Sequence, residues 1–313
     1  MSNHQRFNSY RMLGIIALLT ICLLQFGCQQ QSDGSASKSA QSAKVRIQNA
    51  GSDTMANLAQ AWAEEYAKVE PAVSVEVSGG GSGTGIAALI NGTVDIANCS
   101  RKIEPEEIER VKQNTAKEPQ EFTVGYDALA VYAHKENPLT EISIEQLADI
   151  YGDGGKLEKW SQLGVKNSRC PSDEIIRVSR QSNSGTYHYF REALLGKTRD
   201  FKLGSLDLHG SKDVVELVGK TPCAIGYSGM GYFTPDVTML SVSKTSGTPA
   251  HAPNIENTLN GNYPISRPLY MYSLGTPSGP TKKYLDWILS EAGQKIVETS
   301  GYVPLPKTSA MPK

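Results

Sequence analysis

The sequence predicts an α/β fold of two lobes, each a mostly parallel sheet flanked by helices. Three observations carry that expectation. Short apolar strand runs alternate with amphipathic helices. Loops rich in Gly, Ser and Thr follow the strands at their C-terminal ends. Two apolar strand candidates, near Ala130 and Leu269, bracket the middle of the chain as crossings between lobes. Strand, polar loop and helix in repeated order is the pattern of helices covering a parallel sheet.

Residues 45–47 read as a strand, and Gly51-Ser52-Asp53-Thr54 follows. Residues 55–69 carry Leu58, Ala61, Trp62, Tyr66 and Val69 at helical spacing, and Pro71 stops that helix. Residues 72–77 alternate as a strand, 86–91 form a helix behind a Gly-rich run, and 94–97 give a third strand. Pro105 opens a helix, and 122–133 read as one long apolar strand. Ser143 caps a helix ending near 150, and Trp160 and Leu163 sit in a short turn. Strands at 175–179 and 224–227 alternate with helices at 187–195 and 212–219. A strand at 268–274 and one helix over 280–298 complete the chain. The lobe boundaries expected are 45–131 with 268–313 for lobe I, and 132–267 for lobe II. A cleft between two such lobes is a ligand site.

Residues 1–27 read as a signal peptide. Arg6 and Arg11 precede an apolar run that ends at Gly27-Cys28. The run is about 15 residues, shorter than the ~20 of a membrane span. A Cys directly after a small residue resembles a lipoprotein processing site, with Cys28 as the lipid-bearing N-terminus. Gln25 stands where that pattern prefers Leu, so an uncleaved or differently cleaved signal with a spare Cys is the alternative. Residues 28–44, built from Gln, Ser, Ala, Gly and Lys, read as a disordered tether. The expected location is an exported periplasmic or cell-surface lipoprotein.

Composition narrows the partners. With 31 basic and 32 acidic residues the formal net charge is -1, so no long-range field attracts nucleic acid. No CxxC or His–Cys spacing suggests a metal, and no cofactor is implied. Cys99, Cys170 and Cys223 lie beyond the signal. In an oxidising compartment two of them could pair. Cys170 and Cys223 fall in the same lobe and are the candidate pair; three buried thiols is the alternative.

Four loops carry the chemistry: Gly51-Ser52-Asp53-Thr54; Gly81-Ser82-Gly83-Thr84-Gly85; Ser100-Arg101; and Arg180 with Ser184-Gly185-Thr186. Taken singly, each has a plainer reading as an N-cap, a flexible turn or a surface charge. Together they supply helix N-terminal N–H groups, hydroxyl donors and guanidinium groups, the donors of an oxyanion cage. The Gly-rich run is not a nucleotide P-loop, because no Gly-Lys-Ser/Thr follows it.

These motifs resemble the periplasmic phosphate-binding proteins of phosphate ABC transporters. The resemblance rests on GSDTM (51–55), SGGGSGTGIAAL (78–89), DIANCSR (95–101), VGYDALAVYAH (124–134), RQSNSGTYHYF (180–190), AIGYSGMGY (224–232) and YPISRPLYMY (263–272). It implies a type II periplasmic-binding-protein-like fold with a two-strand hinge, closing on phosphate without chemical change. It further implies a monomer that meets permease subunits at a membrane. The implied ligand loops fall on Asp53, Thr54, Ser82, Gly83, Thr84, Ser100, Arg101, Arg180, Ser184, Gly185 and Thr186. Some members carry a carboxylate where this chain has Arg101, so Asp53 or Asp127 is the candidate acceptor for a phosphate proton. Other readings are a phosphate sensor uncoupled from transport, a binder of molybdate or sulfate, and a Ser-dependent hydrolase. No Gly-x-Ser-x-Gly elbow with a plausible Asp and His series supports the hydrolase.

Overall fold

In the computed structural model, which describes residues 44–306, the strand–loop–helix repeats sort into two sheets. The first half runs β1 (Val45–Gly51), α1 (Ala56–Val69), β2 (Val73–Ser78), α2 (Ser82–Ile90), β3 (Ile96–Cys99), α3 (Pro105–Thr115) and β4 (Gln120–Ala128). The chain then changes sheet through β5 (Ala130–His134), β6 (Glu141–Ser143), α4 (Ile144–Tyr151), β7 (Ile176–Arg180) and α5 (Gly185–Leu195). It continues through β8 (Leu206–Leu208), α6 (Ser211–Lys220), β9 (Ala224–Ser228), β10 (Val237–Ser243) and α7 (Ile255–Leu259). Finally it returns as β11 (Ser266–Ser273), α8 (Gly279–Leu289) and α9 (Glu291–Thr299).

The first sheet has the order β2-β1-β3-β11-β4 and the second β6-β10-β5-β9-β7-β8. Both are mixed: two of four pairings are parallel in the first and three of five in the second. β11 is antiparallel to both of its neighbours, and so is β5. Each is the strand that enters its sheet from the other one, so it arrives running against its neighbours. The expected single strand over 122–133 is therefore two strands in different sheets, parted at Leu129. Ala130 and Val131 already belong to the second sheet, and Ser266 and Arg267 to the first.

Both faces of each sheet are covered, as a doubly wrapped α/β layer requires. In the first sheet Leu58, Trp62, Tyr66, Leu269, Tyr284 and Ile288 pack on one face, while Ile86, Leu89, Ala97 and Val111 fill the other. In the second, Leu147, Tyr151, Phe190 and Tyr227 oppose Tyr132, Val178, Val214 and Val218 across the sheet.

Two helices differ from the periodicity. The second half of the Gly-rich run, Ser82–Gly85, is the first turn of α2 rather than a loop before it. The C-terminal helix breaks at Ser290, whose side chain caps α9 by accepting the Gly293 N–H. A Cβ on Gly293 would lie 2.3 Å from Ile288 O, so α9 folds back tightly on α8. Trp62 donates from its indole to Gly293 O at 2.8 Å, which fixes that corner against α1.

Cys170 and Cys223 are joined by a disulfide across 53 positions of sequence, tying the 160s turn to the start of β9. Cys99 is a buried free thiol. On a chain-entropy estimate, closing a loop of that length stabilises the fold by about 4 kcal/mol. The double variant Cys170→Ala/Cys223→Ala is expected to lose about 2–4 kcal/mol of unfolding free energy in urea titration.

Candidate functional site

The loops after β1, β3 and β7 and the N-termini of α2 and α5 meet between the sheets. After β1, Ser52 N donates to Asn98 O at 2.9 Å, which holds this loop to the end of β3. A 3-10 turn at Asp53–Met55 then leads into α1, and Tyr302 OH donates to Thr54 O. α2 begins beyond Gly81, whose φ of 94° no β-carbon-bearing residue adopts easily. Ser82 Oγ accepts from Ser100 N at 3.0 Å, and Ser52 Oγ donates to Ser100 Oγ at 2.9 Å. Three hydroxyls of the first half are thus one buried cluster. In the second half Ser184 caps α5, accepting from Thr186 N at 3.2 Å and Tyr187 N at 3.4 Å.

The halves touch across this site. Thr54 Oγ1 and Thr186 Oγ1 share a hydrogen bond of 2.6 Å. Gly83 N donates to Asn183 O at 3.0 Å, and Asn183 Nδ2 donates to Gly80 O at 2.9 Å. Tyr232 OH donates to Asp53 O at 2.6 Å. Gly185 permits the approach: a Cβ there would lie 2.3 Å from Ser82 Oγ and 2.8 Å from Ser100 Oγ.

Two arginines lie buried among the hydroxyls. Arg180 is 1% exposed; its Nη1 donates to Ser211 Oγ at 2.8 Å, and its Nη2 to Asp53 Oδ2 at 3.0 Å and His209 O at 2.7 Å. Its Nε is buried and donates to no atom of the described residues. Burial weakens Arg180's hold on its proton, Asp53 opposes that, and Arg267 adds to it. Asp53 also accepts from Gly80 N at 2.8 Å. Arg267, 2% exposed, donates to Asp127 Oδ2 from Nη2 at 2.8 Å and from Nε at 3.1 Å. A buried charge without such partners would be costly, so each guanidinium has its own carboxylate. Burial likewise raises the Tyr232 phenol to about 12, so it stays a donor.

The structure brings together Asp53, Thr54, Ser82, Ser100, Arg180, Ser184, Gly185 and Thr186. Asp127 joins them through Arg267. Arg101 is turned away. It forms a two-pronged pair with Glu107, 2.7 and 2.8 Å long, beside a cavity of about 390 Å³ shared with His188 and Arg191. Glu107 is fixed there because it also accepts the Glu104 N–H at the start of α3. Burial pushes the Glu107 carboxyl up, but the bonds from Arg101 and Glu104 outweigh it and hold the group below its usual range. Thr84 is turned back too, its hydroxyl donating to Gly80 O at 2.6 Å, and the Gly83 N–H is engaged with Asn183. Cys28 lies outside the described residues.

Sequence reasoning missed Arg267 and Ser211, and gave Ser52 no role of its own. Ser52 stood inside a motif already singled out. The signal for Arg267 was a cation embedded in an apolar strand run, ISRPLYMY. Such a residue is buried with a partner or breaks the strand.

A family model described as the PBP superfamily domain matches residues 38–292. The phosphate-binding protein PstS of Pseudomonas aeruginosa is 36% identical over 270 residues, 83% of either chain. A crystal structure of a putative phosphate ABC transporter substrate-binding protein with bound phosphate, from Clostridium perfringens, superimposes with a TM-score of 0.73. It is 30% identical and covers 83% of this chain and all of its own. An ABC-type phosphate transport receptor from Vibrio cholerae superimposes at 0.64 with 28% identity, over 83% of this chain and all of its own.

Gly185→Ala is expected to hold the hydroxyl loops apart. A methyl at this position has to displace Ser82 and Ser100, so binding of any small oxyanion should weaken by at least about tenfold, and the overpacking should cost about 1–3 kcal/mol of stability. Calorimetric titration beside a thermal melt checks this.

Proposed function

The chain belongs to the PBP superfamily, and on that premise we propose that it is a solute-binding protein that captures inorganic phosphate for import by an ABC transporter. The reading is supported by relatives whose names specify phosphate binding and by a structural neighbour with phosphate bound. One observation carries it on this chain's own side: Arg180, buried among hydroxyls at the mouth of α5, has an Nε–H with no acceptor among the described residues. An oxyanion oxygen supplies that acceptor and neutralises crowded positive charge.

In this reading the anion sits among Thr54, Ser82, Ser100, Ser184, Gly185, Thr186 and Arg180. The N-termini of α2 and α5 add unpaired N–H groups. The two lobes, one built on each sheet, close around it and exclude water, which strengthens each charged hydrogen bond. Asp53 is the proton acceptor. Its oxygens already take the Gly80 N–H and the Arg180 Nη2–H, and each keeps a lone pair for a phosphate hydroxyl. Hydrogen phosphate can donate there and sulfate cannot, so sulfate would set a buried carboxylate against an oxyanion. Residues 1–27 direct export, Cys28 carries a lipid, and 28–44 tether a monomer near the permease. Among the described residues no helix is long and apolar enough to cross a membrane.

Calorimetry should show phosphate binding at micromolar concentration or tighter, with sulfate rejected. Equal affinities would defeat the role given to Asp53. Arg180→Ala should cost roughly 2–5 kcal/mol of phosphate binding, the usual loss when one partner of a buried charged contact is removed.

A further inference from the structure

Arg267 enters the site from the strand that brings the chain back to the first sheet. Its register partner across β11 and β4 is Asp127, one residue before β4 ends. The ion pair therefore sits where both connections leave the first sheet, at the floor of the cleft. Asp127 takes two prongs of the guanidinium and fixes its plane. The remaining contacts run to the hydroxyl loops: Nη1 donates to Ser100 O at 2.9 Å, and Nη2 to Thr186 Oγ1 at 3.0 Å and Thr54 Oγ1 at 3.4 Å. The Tyr189 ring lies 5.3 Å from Cζ and covers the guanidinium.

Resting on the phosphate reading, we infer that Arg267, not Arg101, supplies the second guanidinium to the captured anion and couples its capture to closing of the cleft. Thr54 and Thr186, its hydroxyl partners, are the pair that meets across the halves. Nη2 has two N–H groups, one held by Asp127, and an anion oxygen beside the hydroxyls can accept the other in place of Thr186 or Thr54. A buried ion pair adds little net stability, so packing alone does not account for a cation here. Its edge is presented to the site because the other edge is occupied by Asp127.

The coupling follows from which half each contact belongs to. Asp127, Ser100 and Thr54 belong with the first sheet; Thr186, Tyr189 and Met230 belong with the second. Met230 N donates to the other Asp127 oxygen at 3.0 Å. Opening has to part Thr186, Tyr189 and Met230 from the pair, because the pair stays with the first sheet. An anion held by both Arg267 and Thr186 braces the closed form. Arg101 offers no such bridge, being committed to Glu107 within its own half.

The test uses the full mature chain with three readouts: phosphate affinity by calorimetry, thermal unfolding, and radius of gyration by X-ray scattering with and without phosphate. The double variant Asp127→Asn/Arg267→Gln keeps a neutral hydrogen-bonded pair and avoids an orphaned buried charge. It is expected to unfold cooperatively, bind phosphate at least about tenfold more weakly, and lose most of the phosphate-induced compaction. Arg267→Lys keeps the charge, and so safeguards the fold, but cannot span Asp127 and Thr186 together; about fivefold weaker binding is expected. Phosphate affinity within about twofold of wild type in either variant, with only the melting temperature lowered, would reduce the pair to a structural role and overturn the inference. A wild-type protein that binds no phosphate overturns the parent reading instead, so the two failures are told apart.

Discussion

Two guanidinium groups are buried within one small space, and each is tolerable only because a carboxylate faces it. Asp53 answers Arg180 and Asp127 answers Arg267. The first pair spans the two halves, and the second is held within the first sheet at the strand crossing. Desolvation makes a stray charge in such a place prohibitive, so the surrounding order follows from this pairing. Ser211, Thr54, Thr186 and Ser100 take others of their N–H groups, though not Arg180 Nε–H, and the loops that carry them are fixed accordingly.

Close contact is the second requirement. Hydroxyls and guanidiniums can converge on something as small as a tetraoxo anion only where backbones come near each other. Gly185 and Gly81 stand at those approaches, with no side chain to keep Ser82 and Asn183 away. The helix N-termini supply fixed dipoles at the same place, so the site offers donors from backbone, hydroxyl and guanidinium groups together.

Much of this was legible in the sequence, because helix and strand periodicities are local and the hydroxyl loops lie next to the elements that position them. Ser184-Gly185-Thr186 opening α5 and Pro105 opening α3 needed only short-range reasoning. The failures are long-range or competitive. Arg101 follows a strand as a ligand would, but Glu107 six residues later captures it, and a first-turn acid also reads as an ordinary helix start. Arg267 owes its role to Asp127, 140 positions away. The strand at β10 and the break at Ser290 depend on a partner strand and on Gly293 meeting α8 and Trp62, which spacing along one helix cannot reveal.

The order of strands in the first sheet has a consequence for how the chain matures. β4 pairs within that sheet only with β11, and β11 also covers the free edge of β3. Those edges are made early in synthesis, whereas their cover starts at residue 266. The strands of the second sheet lie in one uninterrupted stretch and can assemble before it appears. A chain emerging N-terminus first therefore carries two uncovered strand edges through most of its passage. Unpaired edges recruit other strands, so this interval is when the protein is most exposed to misassembly.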